Sequence, residues 1–367
     1  MANGALRLIW KPVAIGFLVL VAIDALFFRT GFYFRYVEPE STAGTIMINM
    51  PVFDHDYRTG ARNVLVIGDS RIGEGFSPAV ANGVGQSQGI NFIRIAMPGT
   101  TPRVWKYFLS RIDQQSRPLA AVVLMTTSLQ DQDADRNLTD RVLDISYMSP
   151  LLRLSEAPEF VGSFRDRDAR MRALRAAALP ALAAQSDLHA LLASPLARIE
   201  KARLWQNGWA GWVSGYPGRP ERLPDVPSGV LAAPALDPDA VPANIAQPLG
   251  DYLRDLRTLR APGDAVEVTG YRRLWYGWIA DFYQSRHVPV FVYQMPRGPY
   301  HKELVGNQPA GGGLLDLERA HKLTLLDPSP FVDLEQPQYF FDFLHLNSVG
   351  RQAFSQRLAE LVTPLVP

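Results

Sequence analysis

The longest unbroken apolar pattern in the chain is at its start. From Pro12 to Phe28 the sequence reads PVAIGFLVLVAIDALFF, and Asp24 is its one charged residue. Leu8, Ile9 and Trp10 extend the run close to the roughly 20 residues that cross a bilayer, which predicts a transmembrane helix. Phe32 to Tyr36 (FYFRY) then has the aromatic and basic character of a membrane-interface segment. Glu38 to Gly44 (EPESTAG) reads as an irregular connector.

Beyond the connector the apolar runs become short. Asn63–Ile67, Asn91–Ala96, Ala120–Met125 and Val288–Tyr293 are near-continuous apolar segments closed by turn residues. Such runs suit the buried strands of a parallel sheet. Between them the period lengthens. Thr101–Arg117 places Val104, Phe108 and Ile112 on one helical face, and Val266–Arg286 and Ser348–Val362 also read as helices. Strands alternating with helices predict an α/β fold, a three-layer sandwich around a mainly parallel sheet of the doubly wound kind.

One stretch departs from that alternation. Arg165–Leu192 is rich in Ala, Leu and Arg and reads as helix, with a break at Ser194-Pro195 and a resumption over Leu196–Trp205. Gly208–Pro248 is crowded with Pro, Gly, Trp and Ala, which predicts loop or extended cover. The expected organisation is a membrane anchor over 1–30, a connector over 31–60, and a catalytic-type domain in two parts, 61–144 and 263–367. An insertion or lid over 145–262 separates the two parts. Trp205, Trp209 and Trp212 in that insertion are either buried or line a groove in which sugar rings stack.

Charge and composition narrow the class. Of 367 residues 47% are apolar and 20% charged, so the body is globular. The formal net charge of +1 argues against a nucleic-acid partner, which calls for a basic face. No cysteine is present, so disulfides, thiolate metal sites and a cysteine nucleophile are excluded. Arg7 and Lys11 flank the apolar run on its first side and favour a cytoplasmic N-terminus, although Arg29 and Arg35 follow it. A cleaved signal peptide is the rival reading, but the run lacks a clean small-x-small site. Asp24 costs about 2.5–3.5 kcal/mol at a bilayer centre. It therefore sits near the headgroups or faces a protein partner.

Two motifs carry candidate chemistry. Gly68-Asp69-Ser70 follows the first strand directly. In open α/β sheets ligands bind beyond the carboxyl ends of the strands, so Ser70 occupies a functional position. A serine needs a base to act as a nucleophile. His345 lies in FDFLHLN with Asp342 three residues before it, so one short loop carries both an imidazole and the carboxylate that orients it. None of the other five histidines has an aspartate at that spacing.

GDS after the first strand, Gly99 after the second and DxxH before a C-terminal helix together resemble the SGNH (GDSL-like) hydrolase superfamily. The resemblance spans about half of the chain, and the insertion lies outside it. It implies Ser70 as nucleophile, His345 as general base and Asp342 as its orienting acid. It also implies that the backbone N–H groups of Ser70 and Gly99 share an oxyanion hole. The family's third block, G-x-N-D, is absent. Met125-Thr126-Thr127-Ser128-Leu129-Gln130-Asp131 stands there instead. Thr127, Ser128 or Gln130 replaces the asparagine donor, or that donor is missing.

The apolar run with GDSR and DxxHLN further resembles the membrane-anchored extracytoplasmic members of the superfamily that act in alginate O-acetylation and teichoic-acid D-alanylation. That resemblance implies acyl transfer to, or ester hydrolysis on, an exported polysaccharide, with a membrane-bound O-acyltransferase or polysaccharide synthase as partner. It implies a single pass through the inner (cytoplasmic) membrane, a periplasmic or extracytoplasmic domain, and neither cofactor nor metal. By the same analogy Arg71 contacts substrate; otherwise it braces the loop through a salt bridge. Two further readings are a membrane-anchored esterase or lipase on small or lipid esters, and a non-catalytic subunit that binds a polymer or partner.

Overall fold

The computed structural model describes residues 2–112, 117–131, 138–232, 237, 241–260, 265–301 and 310–367. The expected strands are present as β1 (Arg62–Gly68), β2 (Ile90–Ala96), β3 (Ala121–Thr126) and β4 (Val290–Gln294). A fifth, β5 (Thr324–Leu325), is only two residues long and leaves no periodic signal. The five form one all-parallel sheet in the order β2-β1-β3-β4-β5, so the fold is α/β. Every residue of β3 and β4 is buried. Alternate side chains point to opposite faces, so both faces are covered there, which explains why these strands are continuous rather than alternating apolar runs.

The described residues group into two compact units. One holds the sheet and comprises Val52–Leu138 and Gly211–Pro367. The other comprises Met1–Pro51 and Thr139–Ala210.

In the sheet unit, the helix Pro102–Ile112 lies within its expected stretch, the helix Ala265–Gln284 starts one residue before its own, and the final helix has the expected bounds, Ser348–Val362. Asn347 caps that last helix by accepting from the N–H groups of Val349 at 3.1 Å and Gly350 at 3.0 Å. The region expected to be loop cover is a correction. Helix Pro195–Gly215 runs on through Trp212, and helices Ser228–Ala232 and Ala243–Arg260 follow. Residues 233–236 and 238–240 of that stretch lie outside the described residues. Leu223, Val226, Leu231, Ile245, Leu249 and Leu253 bury a cluster of their own with Tyr300 and Phe343. That burial, rather than propensity, makes helices of a Pro- and Gly-rich segment.

The other unit begins with the helix Ala2–Ile23, which passes into a wider π-type turn over Asp24–Phe28. Lys11–Phe28 is long and apolar enough to span a membrane. Phe28, Tyr33, Phe34, Val37, Ala43 and Ala181 form the core of this unit. Asp24 is buried, paired with Arg29 at 2.9 Å, and accepts the Ala181 N–H at 3.0 Å. Among the described residues its partners therefore lie within the chain. Arg29 also donates to the carbonyls of Ala177 and Ala178 at 3.0 and 2.7 Å. Those carbonyls close the helix Arg167–Ala178, whose end supplies unpaired acceptors.

Two stretches differ in detail from what the sequence predicts. The stretch 31–60 is not mainly connector, because a helix occupies Thr42–Asp56. It contains Pro51 and several β-branched residues and has almost no apolar periodicity, but Ile46, Ile48, Val52 and Phe53 are buried. Arg165–Leu192 is not one helix either. It breaks at Pro180 into Arg167–Ala178, Pro180–Ala183 and Gln185–Ala193. Proline has no N–H for the preceding turn and starts a helix more readily than it continues one.

Candidate active site

Ser70 lies just past the end of β1. Gly68 ends the strand and packs tightly. A Cβ at that position would sit 2.5 Å from Ile72 Cγ1 and 3.0 Å from Met125 Cβ. Asp69 caps the helix Ser70–Gly75, accepting the Arg71 N–H at 2.9 Å. In a parallel sheet of this strand order the crevice that opens for ligands lies at the carboxyl ends of β1 and β3, beside Ser70.

The opposing loop is built by its own short pairing. Phe341 N–H donates to the His345 carbonyl at 3.1 Å, and Asn347 N–H donates to the Tyr339 carbonyl at 2.8 Å. Within this loop Asp342 Oδ1 accepts the N–H groups of Leu344 at 2.8 Å and His345 at 2.6 Å. That fixes the carboxylate, and Oδ2 lies 2.8 Å from His345 Nδ1. His345 Nε2 lies 2.8 Å from Ser70 Oγ. With Nδ1–H donated to the carboxylate, the Nε2 lone pair faces the serine hydroxyl. Ser70, His345 and Asp342 thus form one continuous hydrogen-bonded chain across 275 residues of sequence.

Burial alone would raise the Asp342 pKa. The hydrogen bond and charge of His345 and the two backbone N–H groups outweigh it, and the carboxyl is held below its usual value. Phe341 lies nearly parallel to the imidazole, at 9° and 5.7 Å between centroids, and Arg219 sits over the Phe341 ring at 4.9 Å.

Residues that the sequence reading expected to be loop cover hold this loop in place. Leu223 N–H donates to the Phe340 carbonyl at 2.8 Å, and Ser348 N–H donates to the Arg219 carbonyl at 2.6 Å. Tyr252 stacks on Phe343 at 5.3 Å. Beyond β4, Arg297 forms a buried ion pair with Glu335 at 2.8 Å and also donates its backbone N–H to that carboxylate at 3.0 Å. None of these supports shows in the local sequence, because each joins segments far apart in the chain.

The turn after β2 lies next to Ser70. Ala96 is in register with Gly68, and Met97 N–H donates to the Gly68 carbonyl at 3.0 Å. Pro98 and Gly99 occupy the centre of a turn closed by Thr100 N–H to the Met97 carbonyl at 3.1 Å. Gly99 has φ +71°, the positive value that a type II turn requires at its third position.

The stretch after β3 is shaped differently from the motif it replaces. Thr127 is half-buried at the strand end. The Ser128 hydroxyl accepts the Gln130 N–H at 2.9 Å, and the Ser128 carbonyl accepts from Arg272 at 2.7 Å. Arg272 pairs with Asp131 at 2.9 Å, both side chains being 3% exposed, and Asp131 also accepts the Gly313 N–H at 2.7 Å. A buried ion pair therefore sets the path of this loop. Tyr276 donates to the Met125 carbonyl at 2.7 Å, and burial pushes its phenol up to about 12.

Arg71 turns back on its own loop. Its guanidinium pairs with Asp69, with Nη2 at 2.5 Å and Nε at 3.2 Å from the carboxylate. Trp205 and Trp209 stack on each other at 5.3 Å in the other unit, while Trp212 lies against Tyr216. Among the described residues no group of three or more His, Asp or Glu side chains is placed to hold a metal ion.

No protein-family model matches this chain, and no curated protein matches it either.

Proposed function

We propose that the chain is an SGNH-type serine acyltransferase or esterase in which Ser70 is the nucleophile, His345 the general base and Asp342 the residue that orients it. The observation that carries this reading is the Ser70–His345–Asp342 chain, with both links at 2.8 Å. Ser70 Oγ attacks an acyl carbonyl while its proton passes to His345 Nε2. The tetrahedral oxyanion takes hydrogen bonds from the Ser70 and Gly99 N–H groups. Collapse expels the alcohol, which receives the proton from His345, and leaves an acyl-serine. A sugar hydroxyl or water then repeats the sequence in reverse. The helices are read as packing on both faces of the sheet, in the three-layer arrangement of this superfamily.

The proposed setting is the inner membrane. The N-terminal helix serves as a single-pass anchor with Arg7 and Lys11 on the cytoplasmic side, and the rest of the chain is extracytoplasmic. The acceptor is an exported polysaccharide, and a membrane-bound O-acyltransferase supplies the acyl group. Fluorophosphonate should label wild type at Ser70 and leave Ser70→Ala unlabelled. An acylated Ser70 peptide should appear by mass spectrometry when the acyl donor system is present. Full activity in Ser70→Ala would refute the mechanism. Turnover of p-nitrophenyl acetate that matched turnover of any polymer would replace transfer with simple esterase activity.

A further inference from the structure

We propose that Pro180–Ala197 is a second membrane-binding element, which lies against the bilayer beside the N-terminal helix and buries Leu182, Leu192 and Leu196 among lipid acyl chains. The inference rests on reading the N-terminal helix as a membrane span.

Three observations on the helical unit carry it. The first is position. Ala181 N–H bonds the buried Asp24, and Arg29 grips the carbonyls that precede Pro180, so the start of this stretch is fixed to the end of the N-terminal helix. Leu20, Ala184, Leu188 and Leu191 all pack against the core cluster that contains Phe28 and Ala181. Leu20 lies eight residues before Phe28, the last residue of the span, which is about 12 Å at 1.5 Å per residue. Side chains packed between Phe28 and Leu20 stand beside the span at the depth of the headgroups and upper acyl chains. Interfacial helices bury their apolar faces about 5–10 Å into that zone.

The second observation is exposure. Leu182 is 48%, Leu192 68% and Leu196 82% exposed. Among the described residues no side chain covers these leucines.

The third is the charge pattern. In these eighteen residues Asp187 and His189 are the only ionisable groups. Asp187 is engaged by Arg198 at 2.7 Å, by the Tyr33 hydroxyl and by the Glu38 N–H. The adjoining helix Arg167–Ala178 carries four arginines and one aspartate, so the loss of charge at Pro180 is abrupt. A solvent-facing helix pair would carry several charges on its open side; this one presents Leu, Ala, Ser, Gln, Pro and a single histidine, His189.

The chain has no cysteine, so single labels can be introduced cleanly. Full-length Leu182→Cys, Leu192→Cys and Leu196→Cys are labelled with an environment-sensitive fluorophore and reconstituted into phosphatidylcholine vesicles. Phe17→Cys in the N-terminal helix and Gln356→Cys on the final helix serve as references. The expected result is blue-shifted emission at all three leucine sites, several-fold stronger quenching by lipid nitroxides than at position 356, and protection from iodide. Neutral vesicles should suffice, because the stretch has no lysine or arginine to require anionic lipid. Iodide quenching equal to that at position 356 would overturn the proposal, as would protection from both quenchers, which would mean that protein covers the face. If the label at Phe17 is itself unquenched by lipid, the span reading fails as well. Lipid quenching at Phe17 with aqueous leucine sites defeats this inference alone.

Discussion

At the scale of single residues Asp342 joins the shape of its loop to the position of His345. One carboxylate oxygen is spent on two backbone N–H groups and shapes the loop, while the other faces His345. Asp342→Asn keeps the shape but can present N–H to the imidazole, which then adopts the wrong tautomer. In a serine protease the equivalent change lowers kcat on the order of 10⁴-fold, and a loss of similar size is expected here, read from p-nitrophenyl acetate turnover. The pH behaviour follows from sign. The folded-state carboxyl is held below its usual value, so its contribution to stability is complete above the unfolded-state pKa, about 4. It fades as pH falls through the lower folded value. The stability gap between wild type and Asp342→Asn, measured by urea unfolding, should therefore be constant near neutrality and shrink only in strong acid. At this scale the GDS and DxxH residues were legible in the sequence. Arg71 was not, because the choice between a substrate contact and a loop brace depends on where its side chain folds, and it folds onto Asp69.

At the scale of elements the strands were legible because each has a strong local signal, a continuous apolar run. Elements that owe their form to packing were not. The helix Thr42–Asp56 lacks periodicity and places Ala43 in a core with Phe28 and Phe34, while the segments after Gly215 bury their apolar side chains with the distant Tyr300 and Phe343. The loop after β3 is the functional instance. Asp131 on that loop, Arg272 on the helix Ala265–Gln284 and the N–H of Gly313 meet in the interior, although they are up to 182 residues apart. Removing one partner of such a pair strands a buried charge and costs about 3–5 kcal/mol. Arg272→Met should lower the urea midpoint accordingly and displace Thr127. Replacing both partners with apolar residues should recover much of the stability.

At the scale of the whole molecule, the chain divides its tasks between two compact units. Ser70, His345 and Asp342 all belong to the unit with the sheet, and the N-terminal helix belongs to the other. Unfolding of such a chain need not be a single transition. Phe28→Ala removes a core ring from the helical unit, a loss of about 3–5 kcal/mol. One thermal transition should shift downward, while fluorophosphonate labelling of Ser70 at moderate temperature persists. A labelling loss that tracked the shifted transition would show that the site depends on the helical unit.

The sequence by itself determined the N-terminal apolar helix, the parallel-sheet class and the residues with chemical potential, because hydrophobic period and short motifs are local properties of a chain. Only the tertiary structure decided that His345 reaches Ser70, that Asp24 is paired within the chain, and that the residues around Leu223 and Tyr252 brace the Asp342–His345 loop. Those outcomes rest on buried contacts between distant segments, whose energies depend on the full three-dimensional packing and leave no trace in local pattern.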